Sequence, residues 1–236
     1  MEKRDFLYEG KAKKIFKTDD PDLMVVEFKD VATAFDGLKK ESLENKGILN
    51  NKISSLFFEL LNRENIPTHF VKTLSERDML VKSLDIIPVE IIVRNIVAGS
   101  LSKRMGLEEG TPLKRTVLEH NLKNDELHDP MLNRYHIYAL ELATPEEMDT
   151  IEQMALEIND VLRPYLLNKN IVLVDFKLEF GRHKGEIILG DEVTPDTCRF
   201  WDAESGEKLD KDRFRREMGK VTEAYEEVLR RMQEVN

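Results

Sequence analysis

Residues 171–191, IVLVDFKLEFGRHKGEIILGD, limit the fold of this chain more than any other stretch. The run from Ile171 to Phe180 is rich in Val, Ile, Leu and Phe and holds no Gly or Pro. It breaks at Gly181-Arg-His-Lys-Gly185 and resumes as a second apolar run, a pattern that predicts two strands joined by a tight, glycine-bracketed loop. Successive side chains of a strand point to opposite faces. Val172, Val174, Phe176, Leu178 and Phe180 therefore share one face, and Asp175, Lys177 and Glu179 the other.

An isolated strand of this kind commonly turns its polar face to water. Here, however, Ile171 and Leu173 lie on the charged face too, and Asp191-Glu192 follow the returning strand directly after a glycine. A register that puts Asp191 on that face brings two carboxylates and an ammonium together. Hard cations such as Mg2+ take that kind of oxygen ligation, completed by substrate phosphates. The stretch is therefore expected to form a nucleotide-phosphate metal site.

A chain of 236 residues with 41% hydrophobic residues can build a substantial core, as one large domain or two small ones. Charged residues make up 35%, with both signs interspersed and a net charge of -10, which argues against nucleic acid as a partner. Cys198 is the single cysteine, so no disulfide framework is expected, in keeping with a reducing cytoplasm. No leader-like segment or membrane-length apolar run is visible, and a soluble, cytoplasmic protein is expected.

Phe6 to Phe16 reads as strand, turn at Gly10 and strand, with Lys11, Lys13 and Lys14 clustered at the turn. Backbone N–H groups and ammoniums gathered there suit a polyphosphate, although the run is not a Walker motif. Leu23–Phe28 predicts a further strand, Ala34-Phe-Asp36-Gly37 a turn, and the apolar spacing from Lys46 to Asn62 a helix. Strand-like residues between Val71 and Val81 lead into a crossover near Asp85, so a small N-terminal lobe, 1–84, is expected to precede a larger one, 85–236. Clefts between such lobes commonly bind ligands.

Pro88–Ser100 predicts a strand with Glu90 and Arg94 on one face, ending in a small polar turn, Ala98-Gly99-Ser100, suited to an anion. Thr111–Thr116 reads as a polar connection and Asn124–Pro130 as a polar loop. Glu146–Asn168 predicts an amphipathic helix capped by Thr144 and Glu147, Val193–Trp201 a loop, and Lys211–Val235 a final helix.

Gly10-Lys-Ala-Lys13, Leu80-Val-Lys82, Ile87-Pro-Val-Glu-Ile-Ile-Val-Arg-Asn-Ile-Val-Ala-Gly-Ser100, Val174-Asp-Phe-Lys-Leu-Glu-Phe-Gly181 and Asp210-Lys-Asp-Arg-Phe-Arg215 closely resemble the SAICAR synthetase family. The resemblance runs nearly end to end, in the compact bacterial form. It implies an α+β, two-lobed fold distantly like ATP-grasp enzymes and kinases, and a homodimer. The implied reaction uses ATP and Mg2+ to join L-aspartate to the carboxylate of the imidazole ribotide CAIR, giving SAICAR, ADP and phosphate through an acyl phosphate.

By that resemblance Gly10, Lys11, Ala12 and Lys13 would meet the ATP phosphates, Lys82 and Leu84 the adenine edge, and Lys123 would join the ATP set. Glu179 and Asp191 would ligate Mg2+. Arg94, Ser100 and Arg199 would hold the CAIR phosphate, with Lys177, Glu90 and Asp175 along its imidazole and ribose and Arg215 closing the pocket. Lys177, Asp175 and Glu179 would be catalytic, and Asp36 would stand on the aspartate or CAIR side. A kinase would need His-Arg-Asp and Asp-Phe-Gly motifs, which are absent; Asp175-Phe176 is followed by Lys177. A nucleotide-sensing module without turnover would lack the acceptor-phosphate set, which is present.

Overall fold

A computed structural model describes residues 2–34 and 37–234. The chain opens with β1 (Phe6–Glu9), β2 (Lys13–Lys17) and β3 (Leu23–Phe28), then the hairpin β4 (Val31–Ala34) and β5 (Lys39–Ser42). Helix α1 (Lys46–Arg63) buries the stripe Leu49, Ile53, Phe57, Phe58 and Leu61, as the apolar spacing predicts. It stops where Asn65 turns left-handed, just before Ile66-Pro67. Strands β6 (Phe70–Thr73) and β7 (Asp78–Lys82) complete a first antiparallel sheet in the order β1-β2-β3-β7-β6.

The second sheet begins with β8 (Asp85–Ile96), followed by α2 (Gly99–Met105), β9 (Pro112–Leu122), β10 (Met131–Leu132) and α3 (Arg134–Ala139). Helix α4 (Pro145–Leu167) starts with the expected capping box: the Glu147 N–H donates to Thr144 Oγ1 (3.2 Å), and the Thr144 N–H donates to Glu147 Oε2 (2.9 Å). Strands β11 (Ile171–His183), β12 (Glu186–Leu189) and β13 (Cys198–Asp202) follow, and short α5 (Asp212–Arg215) and α6 (Val221–Gln233) end the chain.

Strand β11 is the spine of this sheet, with β8 along one edge and β13 then β12 along the other. Asp175 and Glu179 are buried rather than turned to water. Helix α4 packs on β11 and β8, and α1 packs on the first sheet and on α6. Phe57 of α1 meets Tyr165 of α4 edge to face at 6.5 Å and Phe200 of β13 at 6.0 Å, so the two sheets share one continuous apolar core.

Several elements differ from the sequence reading. The β11–β12 loop is only Lys184-Gly185, both at positive φ, as a two-residue hairpin turn requires. Gly181 lies inside β11, paired with Ile188 and Ile86. Thr111–Thr116 is not a connection, because Pro112 begins the long strand β9. Val193–Trp201 is not all loop, because β13 pairs with the first half of β11. The last helix is two, since Glu217, Gly219 and Lys220 all adopt positive φ between α5 and α6.

Candidate active site

A cavity of about 500 Å³ opens between the two sheets. At one end lies the β1–β2 turn, where the Gly10 N–H donates to the Lys13 carbonyl (2.8 Å) and closes a tight loop. Lys11 reaches across to Asp125 (2.6 Å), while Lys13 pairs with Asp191 and lies 3.8 Å from Glu192. Asn124–Pro130, read above as a loop, thus contributes Asp125 and Asp129 to the lining.

The charged face of β11 forms the centre. Lys177 Nζ donates to Glu90 Oε1 (2.7 Å) and Glu179 Oε1 (2.5 Å) and stands 3.9 Å from Asp191 Oδ2. Lys123 Nζ donates to the same Glu179 oxygen (2.9 Å). Burial alone would raise the Asp191 carboxyl, but Lys13, Lys177 and Lys123 outweigh it and hold Asp191 well below the carboxylate range. Burial would likewise lower the Lys177 ammonium, yet Glu179, Asp191 and Glu90 push it well above its ordinary value. Glu90 moves up, through burial and the nearby Glu179. His69, pushed down to about 3 by burial and by Lys13, stands neutral beside these charges.

At the apolar end, Met24, Val26, Val81, Leu84 and Ile86 line the wall. Leu84 rests on two glycines, since a Cβ on Gly181 would lie 2.9 Å from its Cβ and one on Gly190 would lie 2.8 Å from its Cδ1. The Lys82 N–H is spent on the His69 carbonyl (2.7 Å), whereas the Leu84 N–H donates to no backbone carbonyl among the described residues.

A second charged group lies further along β11. Asp175 is paired with Arg94 on β8 and with Arg199 on β13. Arg94 donates to Asp175 (2.8 Å), Glu119 (2.7 Å) and Ser100 Oγ (3.0 Å); Arg199 donates to both Asp175 oxygens (3.0 and 2.9 Å) and to Asp212 (2.9 Å). Arg215 donates to the other Asp212 oxygen (2.7 Å). Two arginines are thus fixed by buried carboxylates, with the Ser100 hydroxyl on Arg94.

The sequence model of the SAICAR synthetase family matches residues 6–232. The chain belongs to that family. It is 59% identical over 232 residues to a phosphoribosylaminoimidazole-succinocarboxamide synthase of Thermoanaerobacter sp. (strain X514), covering 98% of this chain and 99% of the relative. The structure superposes on that synthase from Ehrlichia chaffeensis with a TM-score of 0.95 at 43% identity, covering 98% of this chain and 100% of the other. A SAICAR synthetase (Type-2) in complex with ADP gives 0.94 at 50% identity, with 97% of each chain covered. The activity of the chain is ATP-dependent ligation of L-aspartate to the CAIR carboxylate in purine biosynthesis.

Of the residues expected from the sequence, the cavity gathers Gly10, Lys11, Ala12, Lys13, Lys82, Leu84, Glu90, Lys123, Lys177, Glu179 and Asp191. Asp175, Arg94, Ser100, Arg199 and Arg215 do not line it; they form a separate hydrogen-bonded group built on Asp175 of β11 and Asp212 of α5. Asp36 lies outside the described residues. Glu119, which holds Arg94, carried no sequence signal beyond its charge, and Asp212, which holds Arg199, lies within the Asp210–Arg215 motif but was given no role. Glu192, noted in the sequence beside Asp191 but given no role, lines the cavity, and its Oε2 is buried without a hydrogen bond.

Among the described residues no three His, Cys, Asp or Glu side chains are grouped to hold a metal alone. That suits Mg2+, which keeps phosphate and water ligands beside one or two carboxylates. Glu179 and Asp191, both neighbours of Lys177, offer hard oxygen donors, and Asp191 is held ionised.

Proposed function

We propose that the reaction runs along the charged face of β11, with ATP between the β1–β2 turn and the Leu84 wall and CAIR beyond it, its phosphate on the Arg94–Arg199 fork. The observation that carries this reading is one strand with two kinds of anion site: lysines around Glu179 and Asp191 at one end, and two arginines on Asp175 at the other. Residues 1–84 would form the ATP lobe and 85–236 the acceptor lobe. This follows the two sheets, which meet between Lys82 and Asp85. The unspent Leu84 N–H and the Lys82 carbonyl would read the adenine edge.

A carboxylate resists attack by an amine, so it is activated first. A CAIR carboxylate oxygen attacks the γ-phosphorus of ATP, the bond to the bridging β–γ oxygen breaks, and ADP leaves. The aspartate amine then attacks the acyl carbon, phosphate departs, and the amine loses a proton as the amide forms. Lys177 and Lys13 would neutralise charge gathering on the transferring phosphoryl group. Mg2+, held by Glu179 and Asp191 when bound, supplies further positive charge at the phosphate oxygens. Lys177, freed from Glu179 and Glu90, would turn to the substrate, with Glu90 and Asp175 placing the imidazole and ribose.

Arg215, tethered to Asp212, would close the ribotide pocket. Asp36 would stand on the aspartate or CAIR side. The family resemblance supports a homodimer, and the single cysteine suits the cytoplasm. ADP release assayed with ATP, Mg2+, CAIR and L-aspartate, omitting each in turn, tests the chemistry. Release should need both CAIR and aspartate and yield an amide by mass; ATP binding without turnover would support a sensor instead.

A further inference from the structure

Three consecutive side chains of the β11–β12 hairpin, Arg182, His183 and Lys184, grip the segment that joins the two sheets. Arg182 donates to Asp85 (3.2 Å) while its other edge is held by both oxygens of Glu147 (2.6 and 2.8 Å). His183 Nδ1 lies 2.9 Å from the Ser83 carbonyl. Lys184 pairs with Asp22 (2.5 Å), whose own carbonyl takes the Ser83 N–H (2.8 Å). The same hairpin seats the Leu84 side chain, on Gly181 of β11 and on Gly190 just after β12.

Of these contacts, the one from His183 sets a direction. Strand β7 ends at Lys82 and β8 begins at Asp85, so no strand pairing fixes the peptide between Ser83 and Leu84. Among the described residues the Ser83 carbonyl takes a hydrogen bond from His183 alone. A carbonyl only accepts, so the proton of that bond sits on Nδ1. The Ser83 carbonyl and the Leu84 N–H belong to one planar trans peptide unit, in which the two point opposite ways. Ser83 and Leu84 line the cavity and His183 does not. Holding the oxygen towards His183 therefore turns the Leu84 N–H towards the cavity. The other two N–H groups of the segment are spent, that of Lys82 on His69 (2.7 Å) and that of Ser83 on Asp22 (2.8 Å), which leaves the Leu84 N–H as its free donor.

We propose that His183 is a positioning residue for the nucleotide: by holding the Ser83 carbonyl it aims the Leu84 N–H at the ring-nitrogen acceptor, N1, on the edge of adenine. His183 touches neither the nucleotide nor the reacting atoms. The proposal rests on the placement of adenine given above, with the amino group of the base on the Lys82 carbonyl. Two analogues separate these contacts. In 1-deaza-ATP a C–H replaces N1, and purine riboside triphosphate lacks the amino group. The parent should favour ATP over 1-deaza-ATP in kcat/KM by roughly 5- to 30-fold, the range for losing one hydrogen bond in a desolvated site.

His183→Leu removes the donor and frees the peptide to turn. The KM for ATP should rise roughly 3- to 10-fold, and the preference over 1-deaza-ATP should shrink by the same factor, because the analogue has no such bond to lose. The preference for ATP over purine riboside triphosphate, and the KM values for CAIR and L-aspartate, should stay within about twofold of the parent's. His183→Asn should recover most of the loss, since its side-chain amide nitrogen stands as far from Cβ as Nδ1 does. An ATP KM that stays parental in His183→Leu, or one that rises with the 1-deaza-ATP preference unmoved, overturns the proposal, because a merely structural hairpin contact would weaken both nucleotides alike. His183→Ala carries the same expectation should the leucine variant fail to fold, and an unmoved preference there refutes the proposal equally. A parent enzyme that uses ATP and 1-deaza-ATP equally well would show instead that adenine is misplaced, and the role of His183 would fall with it.

Discussion

Glu90 and Glu179 stand directly opposite each other on β8 and β11, a like-charge cross-strand pair in the buried middle of a sheet. Such a pair is destabilising unless a cation lies between, and here Lys177 donates to both. Lys177→Met should therefore remove both activity and stability. Breaking a buried ion network by deleting one partner costs about 3–5 kcal/mol, or about 10 °C in Tm for a chain of this size. Thermal unfolding of the variant checks this, and a Tm within a degree or two of the parent would show that the carboxylates do not depend on Lys177.

Glu179→Gln separates charge from shape. The amide still fills the space beside Lys123 and Lys177 but offers no anion to a metal. A fall in kcat of about 100-fold or more is expected, with the apparent requirement for Mg2+ moved to higher concentration. Titration of Mg2+ at saturating ATP measures both, and parental kcat with an unshifted Mg2+ curve would take Glu179 out of the metal site.

Arg94→Lys tests the phosphate fork. The Arg94 guanidinium serves Glu119, Asp175 and Ser100 from three edges at once, which one ammonium cannot do. The CAIR KM should rise about tenfold or more while the ATP KM changes little. Equal losses for both substrates would mean that Arg94 supports the sheet rather than the ribotide.

The charged face of β11 was legible because alternation is local: Asp175, Lys177 and Glu179 must share a side whatever the rest of the chain does. That Lys13, Lys123 and Asp191 meet them depends on pairing between distant strands, which alternation in one strand does not encode. Strand β9 was missed because its first half, Leu113-Lys-Arg-Thr116, is largely exposed or half-buried and lacks an apolar beat. Strand β13 was hidden behind Thr-Pro-Asp-Thr, a turn-like run that folds back so that Arg199 faces Asp175. The break between α5 and α6 had Gly219 as its local sign, while the positive φ of Glu217 and Lys220 is imposed by context. Lys211, placed by its sequence at the start of a final amphipathic helix, instead precedes short α5 and lines the cavity.

Asp212 gives the site an acid limit. Burial would raise its carboxyl, but Arg199 and Arg215 outweigh that and hold it at about 2, below the unfolded value of 3.8. A carboxyl depressed on folding adds stability that is present above about pH 4 and lost as pH falls towards 2. The contribution is about 2 kcal/mol for a shift of this size in a buried group. About half of it is lost between pH 5 and pH 3, and Asp212→Asn lacks that titration, so its Tm should fall less over that range than the parent's, by about 2–4 °C. Parallel Tm curves across that range would place the acid sensitivity elsewhere.

Gly99 connects the backbone to the fork. Its φ of +54 is one that a side chain disfavours by about 1–2 kcal/mol, and a Cβ there would lie 2.5 Å from Arg199 Nη2. A long side chain can normally swing away from such a clash. Arg199 is held by Asp175 on one side and Asp212 on the other, both at 2.9 Å, so moving it disturbs two buried ion pairs. Gly99→Ala should accordingly lower Tm by a few degrees and raise the CAIR KM about tenfold, with the ATP KM nearly constant. If the CAIR KM stays at the parental value while Tm falls, Gly99 serves the turn into α2 alone and the position of Arg199 is not critical for ribotide binding.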